Sequence, residues 1–154
     1  MKEAYGITIF CDDIRRERDN KTSLIGVYGD ELILFTPPPV VLPKLGFHID
    51  ARFPIDNVID EDVNLVIYFP GDPEEAPRIN EKIPWKSGEP PAKIPFPDAV
   101  PAFHFLKYYV LSPVEIREVG HIRVRLLYSG HRIRVGALHV VYQSPKAEAD
   151  RASA

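Results

Sequence analysis

Asp12 and Asp13 stand side by side at the end of a strand-like run, next to Cys11, the only cysteine. Paired carboxylates can share a proton or hold a cation, which is the chemistry of acid–base and metal sites. Their setting argues against it. With Asp19-Asn20 as a turn, Arg18 faces Lys21, Ile14 faces Ile25, Asp13 faces Gly26 and Asp12 faces Val27. Consecutive strand residues point to opposite faces, so the two carboxylates diverge. A short helix over "DIRRER", capped by Asp12, parts their roles as well. Bonding to turn or edge backbone N–H groups is the better reading of both aspartates. Neighbouring negative charge raises a thiol pKa, which argues against Cys11 as a nucleophile.

Four arginines are the sharper candidate. In "HIRVRLLYSGHRIRVG", Ser129-Gly130 suits a two-residue turn. Pairing Tyr128 with His131 sets Leu126 against Ile133, Val124 against Val135 and Ile122 against Ala137, one apolar face. The opposite face carries Arg123, Arg125, Arg132 and Arg134, with Arg125 across from Arg134. Like charges so placed cost a few tenths to ~1 kcal/mol unless something neutralises them. The ordinary reading is a solvated face paired with carboxylates such as Glu115 or Glu118. The second is a self-association surface meeting an acidic segment, for residues 54–98 hold ten Asp/Glu against four Lys/Arg. The third is a site for a small anion or a nucleic-acid backbone. Past Gly136 the apolar phase shifts to Leu138, Val140 and Tyr142, which a β-bulge at Gly136 explains. His139 then faces solvent.

Other constellations are weaker. The acidic loops "DNVIDED" (Asp56–Asp62) and "GDPEE" (Gly71–Glu75) flank one strand at opposite ends and cannot pool calcium ligands. His48, His104, His121, His131 and His139 show no HxH or HExxH spacing. Ser129 lacks a G-x-S-x-G context, and "GVYGDE" is a strand turn rather than a phosphate loop. No metal and no cofactor are expected.

The elements that must position these residues are strands. Sixteen prolines exclude long helices, and apolar alternation with period two recurs along the chain. Strands are expected over 4–11, 22–28, 31–35, 45–53, 63–69, 103–111, 121–128 and 131–142. Tyr5, Ile7 and Ile9 point one way, with Thr8 between them. Over 45–53, Phe47, Ile49, Ala51 and Phe53 alternate with His48, Asp50 and Arg52, a half-buried strand. Nine prolines fall within residues 70–101. An ordered strap with a short strand, anchored by Ile79, Ile83 and Trp85, is expected there. The pattern predicts an all-β, two-sheet antiparallel sandwich of immunoglobulin-like type over 1–142, with a barrel as the alternative and a fraying tail over 143–154.

With 154 residues and 45% hydrophobic content, the chain fits one domain with a real core. A net charge of −3 argues against a dedicated nucleic-acid binder. No stretch approaches the ~20 apolar residues that span a bilayer. A lone cysteine and an N-terminus without signal-peptide regions are read as a cytoplasmic protein.

"IFCDDIRRERDNKTSLIGVYGDEL" and "PVEIREVGHIRVRLLYSGHRIRVGALHVV" together resemble the two ends of a bacterial family of small proteins of unknown function. Its members open with a strand, an aspartate, a lysine-bearing loop and a "lIGvy" strand. They close with a proline-led acidic segment and a hairpin. The resemblance covers about half of the chain and leaves out the proline strap. It implies a compact β-sandwich and carries over no catalytic residue. The expected function is a non-enzymatic interaction or structural module that associates with itself or another protein. A binder of small anions is the alternative, with Phe103, Phe105, Tyr108 and Tyr109 lining its pocket. An enzyme using Asp12 or Asp13 comes third.

Overall fold

The computed structural model describes residues 4–54, 62–84 and 102–144. Eleven strands and no helix occur among them: β1 (Tyr5–Arg16), β2 (Thr22–Val27), β3 (Glu31–Leu34), β4 (Val40–Leu42), β5 (Leu45–Pro54), β6 (Val63–Tyr68), β7 (Ile79–Ile83), β8 (Ala102–Leu111), β9 (Val114–Ile116), β10 (Gly120–Tyr128) and β11 (His131–Tyr142). The first sheet runs β2-β1-β5-β8 and the second β3-β11-β10-β6-β7, with β4 and β9 as a separate ribbon. The sheets stack as a sandwich and do not close into a barrel. All pairings are antiparallel except β3, which joins β11 in parallel.

Alternation sets the layers. In β5 the side chains of Leu45, Phe47, Ile49, Ala51 and Phe53 are sealed from solvent, while His48 and Arg52 on the other face are not. β10 answers from the second sheet with Ile122, Val124, Leu126 and Tyr128. Edge-to-face ring contacts lock the two layers, with Phe53 at 4.9 Å from Tyr128 and Phe47 at 6.4 Å from Phe69.

β1 departs from the ordinary inward-apolar rule. Its trio Tyr5, Ile7 and Ile9 faces outward, opposite Arg52, Asp50 and His48 of β5, and Ile7 is 58% exposed. The reason is the close approach of β1 to β11. A Cβ on Gly6 would lie 2.8 Å from Val135, and one on Gly136 would lie 2.5 Å from Thr8. At this point of closest approach the inward places go to Gly6 and Thr8, while Tyr5, Ile7 and Ile9 take the outer face and Phe10 packs inward further along.

The first part of the proline-rich stretch holds the expected short strand, β7, which forms a hairpin with β6. Phe69 and Asp72 close one turn and Pro73 and Ala76 the next. β7 then pairs with β6, with Ile79 and Ile83 half-buried against the core. Trp85 and the rest of the stretch to residue 101 lie outside the described residues. So do residues 55–61, most of the "DNVIDED" loop, and the tail from 145. Gln143 is still tied down, its N–H donating to Leu34.

Candidate functional site

Ser129 and Gly130, both with positive φ, make the tight turn that joins β10 to β11. Tyr128 pairs with His131, Leu126 with Ile133 and Arg125 with Arg134, as expected. The next step differs. Val124 pairs with Gly136 and Ile122 with Leu138, not with Val135 and Ala137. The bulge therefore lies at Val135, one residue before Gly136. It lets Val135 bury beside Val124 and resets the phase for Leu138 and Val140. His139 faces out, with its ring stacked on His121 at 4.6 Å.

Arg123, Arg125, Arg132 and Arg134 share the outer face of this hairpin. Three of them converge on Glu74, not on Glu115 or Glu118. Arg123 Nη1 donates to Oε1 at 2.6 Å, and Arg125 Nη1 and Arg132 Nη2 donate to Oε2 at 2.8 and 2.5 Å. Glu115 instead holds Arg117 at 2.8 Å. The Tyr68 ring lies beneath, with the guanidinium carbons of Arg123 and Arg125 at 4.9 and 5.2 Å from its centroid. Its hydroxyl donates to the Glu74 carbonyl at 3.0 Å. Arg125 is only 11% exposed in this stack. Aromatic face below and carboxylate above fix two long side chains that would otherwise roam.

The loop that carries Glu74 is braced. The Phe69 N–H donates to Asp72 Oδ2 at 2.8 Å, and Arg78 bonds Asp72 Oδ1 at 3.3 Å while lying over the Phe69 ring at 4.6 Å. Arg78 also donates to the Glu115 carbonyl. Asp72 and Glu74 of the "GDPEE" loop thus serve hydrogen bonds and ion pairs.

Beside the Glu74 cluster lies an open cleft of about 600 Å³ at the bulge. His121, Arg123, Arg125 and Arg134 supply its polar lining, and Gly6, Val124, Val135, Gly136 and Ala137 the rest. The bulge and the β1 crossing produce the hollow, because small side chains there leave room between taller arginines. No carboxylate lines it among the described residues. Among the described residues Arg134 has no ion-pair partner.

Asp12 and Asp13 part company as expected, although their register differs. The Asp19-Asn20 turn forms, with both residues at positive φ and the Lys21 N–H donating to Arg18. The Glu17 N–H donates to the Lys21 carbonyl as well, so Glu17 and Arg18 together oppose Lys21 just past the strand ends and the ladder slips by one. Asp13 then faces Ile25 and Ile14 faces Leu24. Gly26 comes opposite Asp12, whose carboxylate occupies the place a Gly26 side chain would need. Asp12 accepts the Tyr28 hydroxyl at 2.5 Å. Burial, and then this bond, raise the Tyr28 phenol well above its ordinary value. Asp13 pairs with Lys44 at 3.1 Å, and that bond holds its carboxyl below the usual range. Burial foremost, then Asp12 and Asp13, push the Cys11 thiol up.

The aromatic strand β8 divides. Phe105 packs inward, whereas Tyr108 faces out against His48, with ring centroids 5.1 Å apart. Neither lines the arginine cleft, and the Phe103 side chain lies outside the described residues. Glu74 and Tyr68 were missing from the sequence-derived set because they lie some fifty residues from the arginines. The one available signal was the excess of acids over residues 54–98. Among the described residues no helix is long and apolar enough to cross a membrane, and no three metal-binding side chains gather.

Comparison of the chain with protein-family models, with curated proteins and with solved structures finds no match.

Proposed function

We propose that this protein is a non-enzymatic binding module of immunoglobulin-like type that takes an anionic group in the arginine cleft. The observation that carries this reading is Arg134. It stands directly across from Arg125, whose charge Glu74 meets, and among the described residues no carboxylate pairs with Arg134 itself. A fold that keeps an unpaired guanidinium beside this cluster accepts a cost of a few tenths of a kcal/mol up to ~1 kcal/mol. An anion bound between Arg125 and Arg134 removes that cost and gains two charge-assisted hydrogen bonds. The apolar remainder of the cleft suits the body of a small ligand. A lining with one histidine and no carboxylate supports binding over acid–base chemistry. The strand order supports the immunoglobulin-like type: β11-β10-β6-β7 follows the G-F-C-C′ order and β1-β5-β8 the A-B-E order of those sandwiches. Membership of the bacterial family named above and a cytoplasmic location belong to the same reading, the latter supported by the free, buried Cys11.

Titration with inorganic phosphate at low and high salt tests it. Arg134→Gln should weaken binding about tenfold or more, in line with ~1.5–3 kcal/mol for a charged hydrogen bond, and salt should weaken the native protein. Equal binding by Arg134→Gln, or none by the native protein, removes this reading.

Self-association is the second reading. Glu74 brings the acidic segment to the arginines within one chain, so a second copy need not do so. The outer face of the first sheet offers the better surface. Tyr5, Ile7, Ile25, Val27, Leu106 and Val110 stand exposed there. Tyr5, Ile7, Ile25 and Val27 lie on the neighbouring strands β1 and β2, and exposed apolar side chains grouped on a sheet mark a contact surface. Salt does not weaken such a contact, which separates it from one made by arginines.

A further inference from the structure

We propose that Glu74 is the resident occupant of the arginine site, and that the ligand which displaces it carries a dianionic phosphoryl group. This rests on the anion-binding reading above and names the class of anion.

The argument starts from competition. Arg123 and Arg125 line the cleft and already hold the Glu74 carboxylate. The loop that carries Glu74 is tethered by the Asp72 turn and by Tyr68. A tethered group acts at an effective concentration on the order of millimolar or more. A free carboxylate offers the same chemistry without the tether, so it loses to Glu74. The winning ligand must offer what a carboxylate lacks. A phosphoryl group brings a charge near −2 and a third terminal oxygen.

Charge counting points the same way. The four arginines Arg123, Arg125, Arg132 and Arg134 and the one carboxylate of Glu74 leave the cluster at +3. Arg134 is the guanidinium that Glu74 does not reach. A phosphoryl group between Arg125 and Arg134 engages it, while Glu74 retains Arg132, which does not line the cleft. Displacement therefore requires Glu74 to release Arg123 and Arg125 only, and its loop need not unfold.

The floor tells two sources apart. Ala137, Gly136 and Gly6 make a shallow apolar surface beside the arginines. A phosphomonoester can lay its stem there, whereas free phosphate cannot.

Calorimetric titration of the full chain with phenyl phosphate, inorganic phosphate and benzoate, at fixed ionic strength, tests the proposal. Phenyl phosphate should bind and benzoate should bind at least tenfold more weakly. Glu74→Gln should tighten phenyl phosphate about tenfold and let benzoate in. Phenyl phosphate binding tighter than inorganic phosphate identifies a monoester, and equal binding identifies free phosphate; both support the phosphoryl class. Benzoate matching phenyl phosphate on the native protein overturns it. So does Glu74→Gln binding phenyl phosphate no tighter than the native protein. If Arg134→Gln still abolishes binding in that case, the anion site stands and only the role of Glu74 falls. If no anion binds either protein, both fall. Should Glu74→Gln fail to fold, the native protein decides: the Glu74 carboxyl carbon resonance should shift on saturation with phenyl phosphate, and an unmoved resonance overturns the proposal.

Discussion

Arg134 and Glu74 carry opposite obligations at the residue scale. Arg134 faces Arg125 and has no counter-ion among the described residues, so Arg134→Thr should leave stability unchanged or raise it by up to ~1 kcal/mol while removing anion binding. Glu74 holds three guanidiniums, and Glu74→Ala should cost about 1–2 kcal/mol, at ~0.2–1 kcal/mol for each exposed pair. Denaturant titration of the two variants measures both, and the same sign for both would contradict the assignment. Tyr28 offers a separate check. Its folded pKa is raised, so the neutral phenol stabilises the fold fully below the ordinary value near ~10. That contribution is lost as pH climbs through the raised value. Ultraviolet titration should show Tyr28 ionising later than an ordinary tyrosine. Asp12→Asn should bring it earlier, because the charged partner is gone. Asp13 has the reverse sign, with its contribution lost as pH falls through its lowered value.

At the scale of elements, two bulges decide what faces where. The slip at Glu17 and Arg18 seats Gly26 against Asp12 at a φ of 64°. Gly26→Ala should therefore cost about 1–3 kcal/mol, from the left-handed backbone and the clash together. The bulge at Val135 brings Gly136 to the point where β11 meets β1. A methyl group there would stand 2.5 Å from the Thr8 Cβ. Gly136→Ala should open the crossing, cost about 1–3 kcal/mol as an overpacking change, and blunt the cleft. Equal melting temperatures for Gly136→Ala and the native chain would show that the crossing gives way freely.

The whole molecule presents two unlike outer faces on one core. The second sheet shows arginines and histidines, and the first shows isoleucine, valine and leucine among charged residues. Their responses to salt differ in sign. Light scattering should show a second copy bound through the first sheet, with association kept or strengthened at high salt. Ile7→Lys with Val27→Lys should return the chain to a monomer without loss of anion binding. A complex that dissolves in salt would move the contact back to the arginines.

Eight strands, a short one in the proline-rich stretch and the shared face of the four arginines are legible in the chain, whereas the three-residue strands β4 and β9 are too short to show a period. Period-two alternation is a local property, and a two-residue turn sets register for its nearest pairs. That reach ended where a bulge intervened. Val124 meets Gly136 rather than Val135, because the extra residue turns Leu138 and Val140 to the core face that Val135 already shares. Proline density marked residues 70–101 as unusual, yet their first part pairs as an ordinary hairpin with β6. Tertiary structure alone decided which carboxylate meets the arginines and which way β1 turns its apolar side chains. Glu74 reaches Arg123 because β6 pairs with β10, and a loop leaving β6 must pass over that face. Tyr5, Ile7 and Ile9 face outward because two strands from different sheets cross within glycine distance. Such contacts join residues far apart in the chain, and no local pattern encodes them.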